Sequence, residues 1–248
     1  MAIRALIRPR WMPIVAGLLI GLLTSSGLIY AWNRPYNHEP SLYLLGSGKG
    51  LSALLTIDGT RVLIVSGNDP IGLSNALADA RPLTAPRIDL LIITPGSERV
   101  SDRAISITKP GTIFEIAGPE SVAIQSEAQQ ITSNVSISLR DEITLAIDPG
   151  LIVGSAIPGW SITIHAGTST LLLAERQPIR APAGVSLLAV MGSDAPLSSV
   201  PAPAPMAFSA TVAEGFGSSA WPIGLIDPGE TARIRIDKAA IRLPGSWD

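Results

Sequence analysis

Apolar and polar positions along the chain set out a string of short strands. "SLYLLG" from Ser41 and "LSALLTIDGTRVLIVSG" from Leu51 are built of Leu, Ile and Val in runs of strand length. Asp58-Gly59 inside the second run reads as a hairpin turn. "IGLSNALADARPL" from Ile71 has helical spacing, with Ser74 as its candidate cap. "RIDLLIIT" from Arg87 is a continuous apolar run, the mark of a central strand buried on both faces. "GTIFEIAG" is another strand, and "ESVAIQSEAQQI" fits a helix or a strand equally. Beyond Asn134 the pattern is mostly β: "NVSISLRD", "ITLAIDPG", "LIVGSAIPG", "SITIHAG", "STLLLAE" and then "VSLLAVMG", a second candidate central strand. "VPAPAPM" is a polyproline-like loop. The chain closes with "AFSATVAEG", "WPIGLID" and "ARIRIDKAAIRLP". No repeat of fixed period in the solenoid range is evident. The pattern predicts sheets packed face to face with helices outside. It leaves a β-sandwich and an α/β/β/α sandwich both open.

Before Ser41 the pattern changes. "WMPIVAGLLIGLLTSSGLIYAW", residues 11–32, carries no charge. About 20 helical residues at about 1.5 Å each cross a hydrocarbon core of about 30 Å. Trp11 at one end and Tyr30 and Trp32 at the other suit the two membrane interfaces. Arg4, Arg8 and Arg10 precede the span and only Arg34 follows closely, so the N-terminus is expected in the cytoplasm and the rest outside it. A cleaved signal peptide is the rival reading. Its apolar stretch is usually shorter, and Ile29 at −3 from Trp32 suits cleavage poorly. The Gly17 and Gly21 spacing could pair helices, but a glycine-rich span produces it by chance as well. The expected organisation is therefore a cytoplasmic N-terminus (1–10), one transmembrane helix (11–32), a linker (33–40) and a domain (41–248).

Composition narrows the function classes. Hydrophobic residues make up 46% and charged ones 15%, too apolar for disorder. With no cysteine, disulfides and thiolate metal sites are excluded. From Ser41 onward 14 basic residues face 19 acidic ones, a net of −5, so nucleic acid is not an expected partner. The membrane, through residues 11–32, is the expected one, with an unidentified protein partner open.

Candidate chemistry is sparse. "LIITPGSERVSDRA" runs from a buried strand into a short polar loop. Glu98, Arg99 and Asp102 there read as a solvated loop end. Ser97 with Glu98 and Arg99, or Ser47 with Lys49, could be imagined as nucleophile sites, but nothing supplies a base and an orienting third group. "GSGKG", Gly46 to Gly50, resembles a phosphate-cradling loop but lacks the P-loop spacing and precedes a strand, so it reads as a tight turn. His165 lies in a strand without a partner histidine, and His38 lies in the linker.

The order of these motifs resembles the metallo-β-lactamase fold, in the form found at the end of ComEC-type competence proteins. "LLGSGKGLSALL", "VLIVSGND" and "IDLLIITPGSERVSD" match its first strands and metal loop. "WSITIHAGTSTLLLAE", "LLAVMGSDAP" and "ARIRIDKAAIRL" match its later strands. The resemblance implies a strand-rich α/β/β/α sandwich with reduced helices. It also implies where the metal ligands would lie. The HxHxDH set falls on Pro95, Ser97, Arg99 and Val100, and the early aspartates on Gly46, Leu51 and Val65. The late histidines fall on Gly192 and Ser193, leaving Glu175 as the one ligand-type residue. A hydrolytic site needs about three protein ligands per ion. The expectation is a non-catalytic relative, acting in binding or as an accessory, with no metal or other cofactor and no catalytic residue. The alternative is a hydrolase or nuclease-like domain related to DNA uptake.

Overall fold

The computed structural model describes residues 40–80, 87–117, 128–140, 142–150, 159–176, 184–192, 205–210, 223–236 and 240–245. The apolar span 11–32, linker residues 33–39, the run 151–158 and Ser193 lie outside the described residues. Among the described residues no helix is long and apolar enough to cross a membrane.

Strands β1 (Ser41–Ser47), β2 (Gly50–Ile57) and β3 (Thr60–Val65) form an antiparallel meander. Asp58 and Gly59 join the last two with φ of 43° and 89°, the left-handed pair that a two-residue hairpin requires. Helix α1 (Pro70–Ala80) follows. Its cap is Asp69, whose Oδ1 accepts the Ile71 N–H at 3.0 Å. The expected cap, Ser74, lies inside the helix, and its hydroxyl donates to the Pro70 carbonyl at 2.8 Å. Pro70 fixes the start one turn earlier because its missing N–H costs nothing in the first turn.

Next come β4 (Leu90–Ile93), helix α2 (Glu98–Thr108), β5 (Thr112–Ile116) and β6 (Gln129–Ile131). Helix α2 replaces the expected polar loop end. Glu98, Arg99 and Asp102 are exposed, as expected, but on a helix whose other face buries Val100, Ser101, Ala104 and Thr108. Two of those four are hydroxyl residues, which hid the apolar stripe. Ser101 and Thr108 donate to the Ser97 and Ala104 carbonyls, each at 2.7 Å, so they need no outside partner.

The second sheet holds β7 (Val135–Arg140), β8 (Ile143–Asp148), β9 (Ser161–Ala166), β10 (Ser169–Ala174), β11 (Leu187–Val190), β12 (Met206–Ser209) and β13 (Ile223–Ile226). Strands β14 (Thr231–Ile236) and β15 (Ile241–Arg242) return to the first. The orders are β15-β14-β1-β2-β3-β4-β5-β6 and β13-β12-β11-β10-β9-β8-β7. Both candidate central strands, β4 and β11, lie inside their sheets with every residue buried.

The protein is a strand-rich α/β sandwich of two sheets and few helices, and the two described helices both pack on the outer side of the first sheet. Period-2 alternation sorts the strands between layers. Leu42, Leu55, Val62, Ile64, Ile162, Ile164, Leu171 and Leu173 point between the sheets, in one cluster with Trp160. Tyr43, Leu45, Leu54, Leu63 and Val65 point outward, against Leu73, Ala76 and Leu77 of α1 and Val100 and Ala104 of α2. Leu172, Ala174, Leu188, Val190, Met206 and Phe208 form a third cluster, on the outer side of the second sheet.

The registers disclose a repetition. In each half two antiparallel pairings lead into a run of parallel ones, β1-β2-β3 into β4-β5-β6 and β8-β9-β10 into β11-β12-β13. Ile57↔Thr60 closes one hairpin and Ala166↔Ser169 the other. Counting from these pairs, Leu51 matches Trp160, Ser52 matches Ser161 and Ser66 matches Glu175. The Asp89 N–H to Arg61 carbonyl bond recurs as Ser186 N–H to Thr170 carbonyl.

Candidate functional site

One end of the sandwich collects the β1–β2 turn and the C-terminal ends of β3, β4, β10, β11 and β12. It is stitched across the two sheets. The Leu51 N–H donates to the Met191 carbonyl at 3.1 Å, and the Ser66 hydroxyl donates to the same carbonyl at 3.0 Å. Ser209 at the end of β12 donates to the Gly48 carbonyl.

Hydroxyls fill this end. Ser47, Ser52 and Ser66 are buried. Ser47 Oγ lies 2.8 Å from the Ser66 carbonyl, and Ser52 Oγ lies 2.8 Å from the same oxygen and 3.2 Å from Ser47 Oγ. Ser52 Oγ also accepts the Ser66 N–H at 3.1 Å. Each hydroxyl carries one proton, and each proton has a neighbouring oxygen to receive it. Gly67 is required beside them. Its φ is +87°, and a Cβ there would collide with the Ser47 carbonyl and hydroxyl.

A second group continues the chain of bonds. Thr94 donates both its N–H, at 3.2 Å, and its hydroxyl, at 2.9 Å, to the Val65 carbonyl. Ser97 donates to the Thr94 carbonyl at 2.6 Å and lies 3.2 Å from the Ser101 hydroxyl. Ser97 stands at the N-cap of α2 without capping it through its side chain. Its proton goes to a carbonyl, which cannot take it up, so this serine lacks the base a nucleophile requires.

Glu175 is the third part. Its carboxylate accepts the Trp160 N–H at 3.3 Å and lies 3.8 Å from Arg176 Nε, with about a third of its side chain exposed (32%). Gly192 donates its N–H to the Glu175 carbonyl at 3.0 Å, and a Cβ on Gly192 would strike that carbonyl.

The residues singled out from sequence thus fall in distinct places. Leu51, Val65, Ser97, Glu175 and Gly192 are joined to one another or to their chain neighbours by the bonds just described. Gly46 pairs with Leu51 across the β1–β2 hairpin, and its N–H donates to the Glu230 carbonyl at 2.9 Å. Pro95 is half-buried and Arg99 is exposed. Val100 turns into the layer between α2 and the first sheet. Ser193 lies outside the described residues, as does His38. His165 sits exposed on β9, its Nδ1 3.4 Å from Thr170 Oγ1. Gly48 and Lys49 form the expected turn. Among the described residues no three His, Cys, Asp or Glu side chains could together hold a metal ion. Sequence reasoning missed Ser52, Ser66 and Thr94. Each directly precedes or follows an apolar run, and that was the only available signal.

No family profile matches the chain, and no curated protein matches it. Among solved structures it is similar to zinc-bound PqqB from Methylobacterium extorquens, at 16% identity and a TM-score of 0.41, over 60% of this chain and 71% of that one. It is also similar to the chemotaxis sensor ODP, solved as a peroxy diiron species, at 18% identity and a TM-score of 0.37, over 54% of this chain and 59% of that one. Likenesses of this size leave the chemistry to be read from this chain's own residues.

Proposed function

We propose that the protein is a membrane-anchored domain of metallo-β-lactamase type that acts in binding or as an accessory and not in catalysis. In this reading residues 11–32 hold it in the membrane, with the N-terminus cytoplasmic and the domain outside. What supports the reading is how the hydroxyls are engaged at the end that holds the β1–β2 turn and the C-terminal ends of β3 and β4. Ser47, Ser52, Ser66, Thr94, Ser97 and Ser101 bond to one another and to carbonyls there. Hydroxyls held in this way are neutral donors, whereas a divalent cation of hydrolytic enzymes needs imidazole, thiolate or carboxylate. Glu175 alone does not supply such a set.

Metal analysis of the purified full chain tests the reading, together with a phosphodiesterase and nuclease assay in added Mn²⁺. The expected result is metal well below one ion per chain and no turnover. Stoichiometric zinc or manganese, or Mn²⁺-dependent cleavage, would replace it with the hydrolase alternative. Protease protection in sealed vesicles tests the placement: the domain is expected to be cut only from the non-cytoplasmic side.

A further inference from the structure

On the outer face of the second sheet, β7, β8 and β9 border an open groove of about 320 Å³. It is lined by the polar residues Asn134, Ser136, Asp148, Ser161 and Thr163 together with Val135, Ala146 and Ile147. The registers place it where the first half carries α1. Ala146, Asp148 and Thr163 match Tyr43, Leu45 and Leu54, three residues of the apolar layer on which α1 packs. A surface that holds a helix in one half carries a methyl, a carboxylate and a hydroxyl in the other. No described helix covers it.

The polar groups here differ from those around Ser52 and Ser66. The hydroxyls of Ser136, Ser161 and Thr163 bond to no described residue and open onto the groove. Asp148 gives one oxygen to the Gly150 N–H at 2.9 Å, which fixes the carboxylate and leaves the other oxygen as an acceptor. Hydroxyls that face the groove without a protein partner can each donate and accept toward a ligand.

We infer that this groove binds a neutral polyhydroxylated ligand of about the size of one sugar ring. No Lys, Arg or His lines it, so an anion would meet Asp148 with no counter-charge. An apolar ligand would strand the hydroxyls. A sugar ring offers donors and acceptors in alternation, which suits hydroxyls that can do either and a carboxylate that only accepts. The volume is at the lower end for small-molecule clefts. The inference rests on neither the membrane anchor nor the metal-free reading.

Saturation-transfer NMR on the full chain, in a detergent without a sugar headgroup, tests it. The probes are methyl α-glucoside and N-acetylglucosamine, with acetate and butylammonium as charged controls. Sugar binding is expected with a millimolar constant, about what a dozen non-hydrogen atoms sustain. Thr163→Val and Asp148→Asn should each weaken it about fivefold, the loss of one hydrogen bond, without lowering the melting temperature. Three outcomes overturn the inference: no saturation at about 50 mM sugar, well above that constant; undiminished binding in both variants; or preference for butylammonium.

Discussion

Ser66 follows β3 and Glu175 follows β10 at matched points of the two halves, and the two residues meet different fates. Ser66 is buried, with its N–H on Ser52 and its hydroxyl on a carbonyl of the other sheet. Glu175 stays at the surface, and Gly159 and Gly192 leave room for its side chain. A hydroxyl is small and neutral, and two or three neighbouring oxygens satisfy it completely. A carboxylate keeps its charge only with water or a strong partner nearby. Sandwich ends can therefore absorb serines into their framework, while a carboxylate at the equivalent point remains open to solvent.

The matched positions give paired substitutions, each measured by urea unfolding. The largest effects belong to Trp160 and Leu51, both in the core between the sheets. Trp160→Ala should cost about 3–5 kcal/mol and Leu51→Ala about 2–5 kcal/mol. A cost under about 1 kcal/mol at either, as at a typical surface site, would show that the matched positions are not equivalent in packing.

Ser52 and Ser161 should separate next. Ser52→Ala strands the buried Ser66 N–H and should cost about 1–3 kcal/mol. Ser161→Ala removes a hydroxyl facing the groove and should stay within about 0.5 kcal/mol. Equal costs would erase the contrast between engaged and open hydroxyls.

Gly67→Ala should lose at least about 1–2 kcal/mol from its left-handed backbone, before any collision with Ser47. Its matched residue, Arg176, is exposed, and Arg176→Ala should change stability by about 0.5 kcal/mol or less. A neutral Gly67→Ala would mean that the β3 end is free to move. The smallest effect is expected from Glu175→Gln, which keeps an acceptor for Trp160 and removes only a half-exposed ion pair, worth about 0.5 kcal/mol or less. A loss of several kcal/mol would place Glu175 in a tighter network than its exposure indicates.

Much of the architecture was legible in the pattern. The Asp58-Gly59 hairpin and the two buried central strands follow from local rules of twist and burial. Helix α2 did not, because two residues of its buried face are Ser101 and Thr108, whose hydroxyls bond within the helix and so need no apolar character. Ser74 was misplaced as a cap because Pro70 and Asp69 start α1 a turn earlier. The hydroxyl network at the end of the sandwich was not legible. Ser52, Ser66 and Thr94, whose bonds tie the ends of β2, β3 and β4 together, look in the sequence like ordinary polar residues beside apolar runs.

Sequence by itself determined the strands, their faces and the kinds of side chain present, because alternation and turn chemistry act over a few residues. Tertiary structure alone decided which of the chain's hydroxyls are engaged and which stay open. That depends on carbonyls brought from distant strands, such as Met191 to Ser66 and Val65 to Thr94. A serine reads the same in either setting until the partner that takes its proton is in place.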